Sequence, residues 1–220
     1  MPAVLQTWAL AAVVAVAGVV TGIAGPPIAR AESTAQAGAG SHEILGFRSA
    51  RFGMTDKEVK AAIRKDFGLS GDQVTEVADP VTKTRSLTIP AADLFPDSGA
   101  ARISYNFGHA SKRLREVVLA WGAPAEASPD NQRLVGTANI LRNYFIGLDL
   151  PAERRAANVA LGPGSVLVFR GFDQAGRMVA VVLSVPVAEK GKAAAPGTLL
   201  LSYLADPEKP DVFKLEEGAF

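Results

Sequence analysis

The sequence predicts an α+β fold, an antiparallel sheet with helices packed on one face, and three observations predict it. One helix has both of its ends written into the chain, in "RFGMTDKEVKAAIRKDFGLSG" (residues 51–71). The periodicity then changes to two over several segments, as half-buried strands require. The same order, helix signals and then strand signals, begins again near residue 128.

The helix is read from its caps. Thr55 is a good N-cap with Glu58 three residues on, a capping box, and Met54 and Val59 stand where a hydrophobic staple packs. Val59, Ala62, Ile63 and Phe67 share one face; Lys57, Lys60, Arg64 and Lys65 lie away from it. Gly68 followed by Leu69 fits a Schellman stop.

Strand candidates follow. "QVTEV" and "TKTRSLTI" are separated by Asp79-Pro80. "RISYNF" alternates Ile103, Tyr105 and Phe107 against Arg102, Ser104 and Asn106, and after a short turn "LREVVLAW" places Val117, Leu119 and Trp121 on one face. These two form an antiparallel hairpin in this reading. In the second half Ser128 is expected as N-cap, Pro129 at the first helical position and Gly147-Leu148 as the stop. "SVLVFR", "RMVAVVLSV" and "TLLLSYL" are the expected strands there, and "DVFKL" near the end is a candidate edge strand limited by Pro210. The shared Arg and Val-Val-Leu of "RLREVVL" and "RMVAVVL" leave two readings open, a degenerate tandem repeat or chance similarity of apolar strands. The expected organisation is a signal segment at 1–31, a flexible tether at 32–43, a first helix-plus-sheet unit at 44–122 and a second at 123–220, packed as one domain.

The N-terminus carries the address. Residues 8–25 are an uncharged, Ala/Val-rich run, followed by Pro-Pro and the small-x-small pattern Ala29-Arg30-Ala31. This is the pattern of a secretory signal with cleavage between Ala31 and Glu32. The run is also long enough to span a bilayer, which takes about 17–25 residues, so an uncleaved inner-membrane anchor is the alternative. The small polar stretch at 32–42 reads as the tether left after processing. No Asn-x-Ser/Thr sequon occurs, which favours a bacterial periplasm over a eukaryotic secretory route.

Charge and cysteine count remove whole classes of function. Of 23 Lys and Arg only Arg30 precedes residue 32, so residues 32–220 carry 22 charges of each sign. Such a chain has no global attraction for nucleic acid or anionic lipid. With no cysteine there is no disulfide framework, thiol nucleophile or Cys-based zinc site. The core alone must then hold the fold, and 48% apolar residues suffice for one.

Catalytic patterns are scarce. His42 falls in the expected tether and His109 in a hairpin turn, and neither stands at a metal-ligand spacing. There is no G-x-S-x-G elbow, Walker A loop or G-x-G-x-x-G fingerprint, and "GPGS" at 162–165 reads as a plain turn. Asp93 and Asp97 bracket Leu94-Phe95 without an EF-hand pattern. The expectation is therefore no enzyme, no cofactor and no metal, with a hydrolase built on Asp93, Asp97 or His109 as the remote alternative.

"FGMTDKEVKAAI" resembles the Gly-Met-Thr-x-x-Glu-Val helix start of exported bacterial proteins of the small outer-membrane lipoprotein A (BamE-like) group and of the β-lactamase-inhibitor-protein fold. The match spans residues 44–69 and rests on Gly53, Met54, Thr55, Glu58 and Val59, all capping or packing positions. The resemblance implies an exported, non-enzymatic module that binds another macromolecule. Two departures stand: no lipidation cysteine and no cysteines for the inhibitor disulfides.

The candidate binding surface is the sheet face opposite the helices. Alternation assigns to it Arg102, Ser104, Asn106, Glu116 and Val118, and in the second half Ala180, Val182 and Ser184. Trp121 has two readings, a core residue closing one end of the sheet or an exposed aromatic hot spot. The expected partner is an envelope protein; a small-ligand or lipid carrier with an apolar cavity between helices and sheet is the second reading.

Overall fold

A computed structural model describes residues 42–186, 196–215 and 218; the expected signal segment, the Ala31/Glu32 cleavage point and most of the tether lie outside the described residues. Of the stretch expected as tether, His42 and Glu43 are described. The His42 amide donates to the Asp149 carbonyl at 2.9 Å and the Ile44 amide to Asp173 Oδ2 at 2.9 Å, so residues 42–44 belong to the folded unit, Gly38–Phe220.

A small hairpin of β1 (Gly46–Phe47) and β2 (Ala50–Arg51) precedes α1 (Asp56–Phe67). The expected cap is in place. Thr55 accepts from the Glu58 amide while Glu58 Oε2 accepts from the Thr55 amide and from the Thr55 hydroxyl, each at 2.7 Å, and those last two bonds hold the Glu58 carboxyl below its usual range. Gly68 ends the helix at φ 71°, left-handed backbone that a Cβ would strain, with its amide on the Arg64 carbonyl. The strands β3 (Thr75–Ala78), β4 (Arg85–Ala91), β5 (Ala101–Phe107) and β6 (Leu114–Gly122) follow as an antiparallel meander.

The second half repeats the order. α2 (Asn131–Ile146) is followed by β7 (Arg155–Gly162), β8 (Ser165–Phe172), β9 (Met178–Ser184) and β10 (Thr198–Leu204). The N-cap is Asp130, not Ser128: its carboxylate accepts from the Gln132 and Arg133 amides, which Ser128 is too far upstream to reach. Gly147 stays in right-handed backbone at φ −73°, so the stop does not copy that of α1. The eight strands form one sheet in the order β3-β4-β5-β6-β10-β9-β8-β7, so the last strand of each half meets the other at the centre.

One strand is unforeseen and one expected strand does not form. β7 is not among the strands expected from the sequence, because its residues from Ala157 to Gly162 are exposed and give no alternation of buried and exposed positions. "DVFKL" forms no strand. Asp211 instead accepts from the Ala110 and Ser111 amides, and the Phe213 amide donates to the Thr82 carbonyl, which fixes the tail across two turns rather than along a strand.

The register defines the core face. Leu87, Tyr105, Val117, Tyr203 and Val179 stand side by side, as do Ile89, Ile103, Leu119, Leu201, Val181 and Phe169. Val59 and Ile63 of α1 and Leu134, Ala138, Leu141 and Phe145 of α2 join the same buried cluster, so both helices cover this face. Between them Phe47 packs on Tyr203, and the Arg48 guanidinium sits 4.7 Å from the Phe67 ring centroid. Arg85 pairs with Asp56 at 2.9 Å and ties α1 to β4. The class is α+β, dominated by its sheet. Among the described residues no helix is long and apolar enough to cross a membrane.

Candidate functional site

The face turned away from the helices is fixed by the same register, offset by one residue. One row runs Arg102, Ala120, Leu200, Val182, Leu167 and Val159 across six strands. The next runs Ser104, Val118, Ser202, Ala180 and Arg170, and a third runs Asn106, Glu116, Leu204, Met178 and Phe172. Ser184 stands beside Thr198 at one end and its hydroxyl lies 3.0 Å from that of Ser165. All eight residues assigned by alternation therefore lie on one side of the sheet.

The surface has two chemical halves. Over β4 and β5 it is polar: Thr88 Oγ1 lies 3.2 Å from Ser104 Oγ, and Arg102 is exposed. Over β6, β10, β9 and β8 it is apolar, with Val118, Leu200, Val182 and Leu204 partly exposed and Leu167, Ala180 and Met178 buried among their neighbours. Leu200, Leu204, Leu167, Met178 and Arg170 were missing from the sequence reading. "TLLLSYL" is apolar on both faces, and nothing local to it says that β10 inserts beside β6.

Glu116 sits where the halves meet. Asn106 Nδ2 donates to its Oε2 at 2.7 Å, but burial beside Leu204 outweighs that bond and pushes its carboxyl above the usual range. A carboxylate with a raised folded pKa costs stability when ionised. The penalty is full above the folded pKa and is relieved as pH falls through it toward the unfolded value, near 4.5. Glu116→Gln should therefore unfold at higher urea than wild type at pH 7, with the gap closing toward pH 4.5. A gap that stays constant with pH would show that ionisation of Glu116 is not its source.

Arg102 and Arg170 complete the surface. Among the described residues neither guanidinium has a hydrogen bond or ion pair; Arg170 lies over the Phe172 ring, 5.6 Å from its centroid, with its Nε buried and unpartnered. They stand four strand spacings apart, about 19 Å at about 4.8 Å per strand. Trp121 belongs to the other side. It is 1% exposed, pairs with Ala101 and Leu199 and packs on Phe95 at 6.5 Å, so the exposed hot-spot reading does not stand.

The remote catalytic candidates do not converge. Asp93 accepts from the Gly99 amide, Asp97 sits in left-handed backbone at φ 62°, and His109 lies at another turn, its Nδ1 3.1 Å from the Lys83 carbonyl and its ring edge-on to Phe213. Among the described residues no three His, Asp or Glu side chains gather as metal ligands do. One open cavity of about 440 Å³ lies between the first turn of α2 and the β7–β8 turn, lined by Val135, Val166, Leu183 and Val185 with Asn131, Gln132 and Gly164.

Comparison with known proteins adds no relative: no protein-family model, curated protein or solved structure matches the chain.

Proposed function

We propose that this chain is an exported periplasmic binding or assembly module that grips a protein partner of the cell envelope with the open face of its sheet. One observation carries the reading: the half of that face formed by β6, β10, β9 and β8 is largely apolar, on the side away from both helices, and flanked by two guanidinium groups that make no hydrogen bond or ion pair among the described residues. Apolar patches rimmed by charge are where proteins meet proteins, because burial supplies the energy and the charges set orientation. The leader-like N-terminus supports export, and the resemblance of "FGMTDKEV" to the BamE-like and inhibitor-protein helix start supports a module without chemistry of its own.

The test is site-specific photo-crosslinking in the source cell. A crosslinker at Val182 or Arg102 should capture one and the same protein, and a crosslinker at Lys57 on the outer side of α1 should capture none of it. Adducts formed equally well from Lys57, or none from the sheet face, would overturn the assignment. The open apolar groove at the first turn of α2 is where a second reading, a carrier of small apolar ligands, is tested. Saturable binding of a fluorescent fatty acid, lost on Val135→Arg, would favour that reading instead.

A further inference from the structure

The two edges of the sheet are built differently. β3 has four residues and is guarded: Glu76 on it pairs with Arg85 at 2.7 Å and with Lys60 at 3.9 Å, and Asp79-Pro80 follows directly. Short length, charge and proline are the usual means of keeping foreign strands off an edge. β7 has eight residues and carries no ionisable side chain from Ala156 to Gly162; Pro163 follows it directly, so length and charge rather than proline distinguish the two edges. Its large side chains are in water, Val159 at 44% exposed and Leu161 at 56%. Pairing to β8 uses one row of its backbone groups, so among the described residues no strand pairs with the other row of N–H and C=O groups.

We infer that the β7 edge is a self-association surface at which a second copy of this chain pairs antiparallel, joining the two sheets. An open ladder selects an extended strand, and an uncharged segment selects one without charges to desolvate; β7 is itself such a strand. An antiparallel pair of identical strands is isologous, so each copy satisfies the other with the same groups. A two-fold axis at Val159, the midpoint of the uncharged segment, sets Arg155 opposite the other copy's Pro163, where the ladder ends, and Ala156 opposite its Gly162, so no like charges meet. Val159 pairs with Leu167 on the open face, so the two Val159 side chains would meet there beside that leucine. One irregularity interrupts the strand: Asn158 has φ 56°, and its Oδ1 accepts from Arg142 Nη1 at 3.3 Å, which turns its side chain from the ladder toward α2.

The chain has no cysteine, so one introduced thiol reports one contact. The protein as it accumulates in its source cell should double its apparent mass in sedimentation as its concentration rises from low micromolar to millimolar. Val159→Cys should form a covalent dimer on mild oxidation, because directly opposed strand residues bring their Cβ atoms within reach of a disulfide. Val77→Cys, on the β3 edge, should not. Val159→Lys should hold the mass at that of one copy while leaving the urea midpoint unchanged, which separates lost pairing from lost folding. The inference is overturned by a single-copy mass at every concentration, by a dimer that survives Val159→Lys, by equal cross-linking through Val77→Cys, or by Val159→Cys adducts with a different chain alone.

Discussion

Asp173→Ala is expected to cost about 3–5 kcal/mol of folding stability, the range for removing one partner of a buried, hydrogen-bonded charge pair. Asp173 is 1% exposed and sits in the turn between β8 and β9. Its Oδ2 accepts from the Ile44 amide at 2.9 Å and from Arg177 Nε at 2.6 Å, and its Oδ1 from the Arg177 amide at 2.9 Å. Alanine would strand two backbone donors and a largely enclosed guanidinium. Arg177 keeps its bond to Glu43 at 3.0 Å, and its partial contact with water lessens the loss, so the lower half of the range is expected. Urea midpoints measure it. Asp173→Asn, which still offers an acceptor, should fall between wild type and alanine. Asp206→Ala, which removes an exposed pair with Arg115 at 3.8 Å, should change stability by less than about 1 kcal/mol. Amide exchange at Ile44 should quicken selectively in the Asp173 variants. If alanine costs no more than the Asp206 change, the network does not hold the start of the fold to the sheet.

What was legible in the sequence is what short-range physics decides. The caps of α1 lie within four residues of the groups they satisfy, and α1 forms where they place it. β5 and β6 each bury alternate residues, so their pairing and the open-face positions of Arg102, Ser104, Asn106 and Val118 followed from period two. β7 was not legible, because an edge strand exposed along most of its length has no buried set to alternate with. The start of α2 was misread since Ser128-Pro129 imitates a cap, and only the geometry shows the Asp130 carboxylate on the amides. Period two placed Trp121 with Val117 and Leu119, but its burial at the end of β6 depends on long-range pairing with Leu199, a residue seventy-eight positions later. The same insertion of β10 beside β6 turns two separate alternations into one continuous surface, which the sequence implied for each half and could not join.

The aromatic cluster under α2 should be nearly as costly to disturb. Phe145 is 2% exposed; its ring stacks on Phe169 of β8 at 5.7 Å and 17°, and meets Tyr203 of β10 edge-on at 6.2 Å and 64°. Tyr203 in turn packs on Phe47 of β1 at 5.9 Å, so one ring on α2 links the second half of the sheet to the segment before α1. Phe145→Ala is expected to cost about 3–5 kcal/mol, the transfer of the ring plus the cavity left beside Phe169 and Tyr203. Phe145→Leu fills most of that space and should cost roughly half as much. The shape of the transition carries more than its midpoint. If both halves fold as one unit around this cluster, the alanine variant should keep a single transition with an unchanged urea slope. Two transitions, with the α2 half melting first, would mean that the helix-plus-sheet halves are separable. The seam between β6 and β10 would then be a contact between folded units rather than the middle of one core, and the open face that crosses it would exist only while both units are folded.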